Sequence, residues 1–185
     1  MAIKTFTAGS VLTASDTNTY LANAGLVYIE TLTISGATSG TTDTAFTSTY
    51  KNYRIVGTYT GSTAANLVLT LRDSSGDVTA TNYKAVQYYL AYGATPTWQL
   101  NGYTAAGNFA EFARIQAANE EGAVAADIFG PQTATLTNVH SKCTDTFLAR
   151  QMDGFYNATT QMVGFKISSS ATLTGSFRIY GYRQA

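Results

Sequence analysis

From Val27 onward the chain alternates apolar and polar side chains with a period of two, the signature of strands whose two faces meet different surroundings. Tyr28, Glu30, Leu32 and Ile34 interleave with Val27, Ile29, Thr31 and Thr33, and the Gly/Ser/Thr stretch SGATSGTTD that follows reads as a loop. The pattern returns over Tyr53–Tyr59 and Asn66–Arg72, where Leu67, Leu69 and Leu71 form the face expected to be buried, and DSSGD (Asp73–Asp77) reads as the turn that ends the second of these. YKAVQYYLAY, FAEFARI and AVAADIF are plausible strands, with GATPTWQLNG as a loop after the first and Pro131 just past the last. FLARQMDGFYN, QMVGFKIS and TLTGSFRIYGYR read as closing strands, the last two placing Val163, Phe165 and Ile167, then Leu173, Phe177 and Ile179, on one face. About 9–10 short strands with turn signals between them predict an all-β chain, an antiparallel β-sandwich or jelly roll.

The first two dozen residues have a different pattern. Thr13-Ala14-Ser15-Asp16 is a variant of the capping box, in which the Thr13 hydroxyl accepts from the Asp16 amide and the Asp16 carboxylate accepts from the Thr13 amide. A helix is predicted from Ala14 through Tyr20 and Leu21, with Gly25 as its left-handed stop. A helix of about ten residues is marginal alone in water, so Leu12, Tyr20 and Leu21 need a surface to pack on. The expected organisation is an attachment segment over residues 1–26 and a β-domain over residues 27–185.

Composition narrows the class of partner. Lys+Arg and Asp+Glu both number 11, so the formal net charge is zero and no basic field gathers nucleic acid or anionic lipid. Charged residues make up only 12%, and a weakly charged surface repels a second copy poorly, so self-association is expected, a trimer being the favoured symmetric form. The longest strongly apolar stretch, YYLAY, falls far short of the ~20 residues that span a bilayer, so membrane insertion is not expected. The N-terminus lacks the apolar run of a secretory signal, which points to synthesis in a cytoplasm.

Catalytic chemistry finds no motif. His140 and Cys143 stand three residues apart, but a zinc site needs three or four ligands and the chain has one His and one Cys. Asp73 and Asp77 offer hard oxygens without the spacing of a calcium loop, and carboxylates such as Glu111, Glu120, Glu121, Asp127, Asp145 and Asp153 sit at no recognisable acid/base offset. No enzyme activity, metal or cofactor is expected. The aromatic load is more informative: 13 Tyr, 9 Phe and 1 Trp lean toward the ring with a wettable end. Tyr88, Tyr89, Tyr92, Trp98 and Tyr103 concentrate around GATPTWQLNG, an expected packing, interface or ligand surface, with a glycan as the ligand such a platform would take.

FTAGSVLTASDTN followed by YLANAG resembles a segment that recurs near the N-termini of structural proteins of tailed bacteriophages, especially minor tail and fibre proteins. The matching positions are Phe6, Ala8, Gly9, Leu12, Thr13, Ala14, Asp16 and Asn18. TGSFRIYGYR, with Gly175, Ser176, Tyr180 and Gly181, is similar to the closing strand of phage sandwich domains, and YKNYRIVGTY to an early one. The resemblance implies a virion protein held to other virion proteins through Phe6, Leu12, Thr13, Asp16, Asn18, Tyr20 and Leu21. Fibres have a long shaft, whereas this chain passes almost directly into one β-domain, which favours a compact tail-attached module or capsid decoration. The alternative is a receptor-binding module that recognises host surface glycan.

Overall fold

Eleven strands and no helix make up the described part of the chain: β1 (Leu26–Thr42), β2 (Asn52–Gly61), β3 (Ala65–Asp73), β4 (Gly76–Asp77), β5 (Tyr83–Ala91), β6 (Thr97–Ala106), β7 (Phe109–Ile115), β8 (Gly122–Phe129), β9 (Leu136–Thr144), β10 (Leu148–Asn157) and β11 (Gly164–Tyr182). The computed structural model describes residues 25–92, 97–157 and 160–183, with side chains at all of these except 97, 98 and 103–105. The expected capped helix, with Phe6, Leu12, Thr13, Asp16, Asn18, Tyr20 and Leu21, lies outside the described residues. Gly25, its expected stop, has φ +96°.

β11 is the spine of a single antiparallel sheet. One of its edges pairs β1 from Leu26↔Tyr182 to Thr42↔Phe165. The other edge is shared, with Gly164–Ser169 on β3 and Leu173–Gly181 on β2. Beyond β2 the sheet continues through β8, β9, β10 and β5 to β6, and beyond β3 it continues to β4 and β7. β7 also packs against β9, β10, β5 and β8, so the sheet curls back on itself around one core.

Serving both branches requires the β1–β11 ribbon to bend, and the sequence supplies the means. Register shifts interrupt β1 between Ile34 and Ala37 and between Ala37 and Ser39. Gly36, in the left-handed region at φ +60°, donates its N–H to Thr174 Oγ1 at 3.0 Å. Bulges of this kind bend a strand and raise its twist. The expected loop SGATSGTTD is therefore mostly strand, and the expected pair QMVGFKIS and TLTGSFRIYGYR is largely one 19-residue strand. Small β-branched and hydroxyl residues read as loop in isolation but fit a bent, half-exposed ribbon.

The apolar positions read from the alternation form the core. Leu67, Leu69 and Leu71 are fully buried, as are Ile55, Phe165, Ile167, Leu173, Phe177 and Ile179. Each such side chain stabilises the fold by roughly 1.5–3 kcal/mol through removal of apolar surface from water. The branch through β7 is tied across the core by polar contacts as well. Ser141 Oγ donates to the Phe112 carbonyl at 2.9 Å and Tyr59 Oη to the Arg114 carbonyl at 3.0 Å. In the β1–β2 connection, Tyr53 Oη accepts from the Thr47 amide at 2.8 Å and donates to the Thr47 carbonyl at 2.6 Å, pinning the turn.

Register also fixes which features share an end. Val27, Gly181, Tyr53, Ile128, Val139, Gly154 and Ala85 are consecutive partners across the sheet. The Arg183 N–H donates to the Gly25 carbonyl at 3.0 Å, so both ends of the described chain meet there. Ala91 pairs Leu148 on one side and Thr97 on the other at the opposite end.

Candidate functional site

The outward face of the larger branch carries an ordered polar row. Tyr180, Arg54, Asp127, His140, Asp153 and Val86 are consecutive cross-strand partners on β11, β2, β8, β9, β10 and β5. They share one face because each strand alternates, and the neighbouring positions Ile55, Ala126, Val139 and Met152 point into the core. Two carboxylates in this row are held by several donors each.

Asp153 is the better organised. His140 Nδ1 lies 2.7 Å from its Oδ1, Tyr88 Oη donates to its Oδ2 at 3.1 Å, and Gln151 Nε2 lies 3.3 and 3.1 Å from the two oxygens. Three strands thus converge on one solvent-facing carboxylate. Partial loss of hydration and the adjacent carboxylate push the Tyr88 phenol above its ordinary range, so it stays a hydrogen-bond donor through neutral pH. Phe129 meets the His140 ring edge-on at 5.5 Å, which helps to fix its orientation.

Asp127 forms the second cluster. Tyr182 Oη donates to its Oδ1 at 2.6 Å, and Arg54 Nη1 reaches the same oxygen at 3.3 Å and the Tyr182 hydroxyl at 3.2 Å. The hydrogen bond to Tyr182 raises the Arg54 pKa further, and burial together with Asp127 raises that of Tyr182. Arg54 and Asp127 are both partly exposed, so their ion pair orients groups more than it stabilises the fold.

Next to Asp153 the face dips. A depression of about 250 Å³ lies over Ala149, with Tyr88 and Leu90 of β5 on one side and Lys142 and Thr144 of β9 on the other. Its wall is apolar where β5 contributes and polar where β9 and Gln151 contribute.

No family model matches the chain. No curated protein matches it either. The site therefore rests on its own geometry.

The structure divides the expected aromatic surface. Tyr88 faces outward onto Asp153, whereas Tyr89 faces the other way, with the Arg150 guanidinium 5.2 Å from its ring centre and its hydroxyl bonded to Gln99. Tyr92, just past β5, is 52% exposed, and its N–H donates to the Phe147 carbonyl at 2.7 Å. The backbones of Trp98 and Tyr103 pair with Leu90 and Ala85 across β5–β6, so GATPTWQLNG is in large part strand β6. Asp153, His140, Gln151 and Lys142 are the members that sequence reasoning did not group. Their only signal is period-two spacing, 140 with 142 and 151 with 153, which joins them once the β9–β10 register is known.

The remaining candidates separate. His140 faces outward from β9 and Cys143 inward, where burial raises the thiol pKa to about 11. Asp73 accepts the Ser75 N–H at 2.7 Å as a turn former, and the Asp77 oxygens are taken by Arg72 and by Lys166 at 2.9 Å. Among the described residues no three His, Cys, Asp or Glu side chains are grouped so as to hold a metal ion.

Proposed function

We propose that the chain is a virion structural protein of a tailed bacteriophage, attached through its N-terminal segment and displaying its curled sheet, as a β-sandwich of jelly-roll type, on the particle. The observation that carries this is the polarity of the fold. Residues 1–24 join the sheet at Gly25, beside the exposed apolar side chains of Leu26, Tyr28 and Val56, and the Ala91–Thr97 pair of β5 and β6 lies at the far end. Leu26 and Val56 line one depression together with Tyr180, and contiguous exposed apolar surface of this kind supports the reading of a contact surface. The resemblance of FTAGSVLTASDTN to phage virion segments supplies the kind of partner: other virion proteins, with further copies of the chain arranged as a trimer. This function assigns no reaction to the chain. Peptide mass spectrometry of purified particles tests it: the chain is expected at a fixed copy number per particle, and its absence from particles would remove the proposal.

A second reading is favoured by one specific observation, the depression beside Asp153, in which an aromatic wall meets fixed hydrogen-bonding groups. In this reading the displayed face is a receptor-binding surface for host glycan. Particles carrying Trp98→Ala are then expected to assemble normally and adsorb poorly to cells, and unchanged adsorption would count against it.

A further inference from the structure

We infer that the depression over Ala149 is a saccharide subsite, with Tyr88 and Leu90 as its apolar wall and Gln151, Lys142 and Thr144 as its hydrogen-bonding rim, Asp153 standing just outside the lining and holding Tyr88 and Gln151 in place. This rests on the receptor-binding reading and gives it a place and a ligand class. A sugar ring has a C–H face and a rim of hydroxyls, each both donor and acceptor. A surface that selects it must present an apolar wall on one side and fixed acceptors and donors on the other.

The depression meets those requirements with groups from three strands. Tyr88 and Leu90 stand on β5, Ala149 and Gln151 on β10, and Lys142 and Thr144 on β9. Ala149 sets the floor: Thr144 and Leu90 belong to the flanking strands at its level, and its methyl leaves open the space between them. The volume, about 250 Å³, falls just below the roughly 300–1,000 Å³ of pockets that hold drug-sized ligands, a size suited to one ring.

Asp153 stands outside the lining and fixes two groups that belong to it, Tyr88 and Gln151. Its carboxylate accepts from Tyr88 Oη and Gln151 Nε2 and lies 2.7 Å from His140 Nδ1, so the wall and the Gln151 amide are held before any ligand arrives, which removes part of their ordering cost. Lys142 supplies the mobile donor, being exposed on the β9 side. Leu90 pairs through its backbone with Trp98, so the one tryptophan of the chain lies on the strand next to the apolar wall. The subsite also lies toward the end of the sheet at which Ala91 pairs Leu148 and Thr97, away from Gly25.

The test is a glycan array probed with the full chain, followed by saturation-transfer NMR with each saccharide that gives a signal. The unchanged chain is compared with Ala149→Trp, which fills the depression, and with Trp98→Ala. Thermal unfolding of each verifies the fold, and Asp153→Asn is measured alongside as a smaller change. The expected result is a saccharide signal that Ala149→Trp abolishes and Asp153→Asn weakens at least tenfold. A signal lost in Trp98→Ala but retained in Ala149→Trp would remove this subsite and keep the receptor-binding reading. No signal from the unchanged chain would overturn both.

Discussion

Arg150 reaches across the core to Glu111, its Nη1 donating to Glu111 Oε2 at 2.7 Å while its side chain is only 2% exposed. Asn66 Nδ2 donates to the other Glu111 oxygen at 3.3 Å, so one carboxylate on β7 links β10 to β3 and holds the two branches of the sheet together. Removing one partner of a fully buried ion pair costs about 3–5 kcal/mol, because the remaining charge is left unpaired. Glu111 is 24% exposed and water can partly replace it, so Glu111→Ala is expected to lose about 2 kcal/mol in urea unfolding. The double variant Glu111→Leu/Arg150→Met is expected to recover most of that loss.

Phe177 lies fully buried on the spine strand and stacks on Tyr59, with ring centres 6.2 Å apart and planes 12° from parallel. Phe177→Ala is expected to destabilise by about 3–5 kcal/mol, from lost burial together with the cavity left behind. Equilibrium denaturation with an unchanged m-value would verify that the loss lies in packing.

Gly164 opens β11 against the Thr42 carbonyl, where an added Cβ would overlap backbone and not a movable side chain. Gly164→Ala is therefore expected to cost at least about 2 kcal/mol, toward the upper part of the range for overpacking. A melting temperature within one degree of the unchanged chain would contradict the tight β1–β11 closure.

Cys143 is buried, and burial raises its thiol pKa from 9.0 to about 11. The unfolded chain gives up this proton first, so the folded state holds more protons between those values and stability falls as pH rises. The contribution is fully present below pH about 9 and lost by about 11, on the order of 3 kcal/mol at most. Burial raises the Tyr59 phenol in the same direction. Cys143→Ala is expected to flatten the stability profile over this window without abolishing its fall. In the unchanged chain at neutral pH, thiol reagents are expected to react only as fast as the protein opens.

Period two was enough to find most of the strands, because a strand with one buried face writes its burial directly into the chain, as Leu67, Leu69 and Leu71 do. β6 escaped because TWQLNG lies on an exposed outer strand, where Leu100 is 71% exposed and alternation has no buried face to report. The bent stretch of β1 escaped for a related reason: its bulges break the period at Gly36 and Ala37, just where the ribbon turns between branches. Tyr88 was legible as a surface candidate from local aromatic density. Its partner Asp153 lies 65 positions away and His140 stands 13 positions before Asp153, and only the register of β5, β10 and β9 brings the three together. Tyr89 shows the converse, since adjacent residues on a strand face opposite ways and a cluster in sequence need not be one in space.

Attachment through the N-terminal segment is tested most directly by the copy number of the chain in purified particles, with and without residues 1–24. The shortened chain is expected to fold, with an unfolding midpoint close to that of the full chain, and to be missing from particles. Incorporation at the full-length copy number would contradict attachment through that segment.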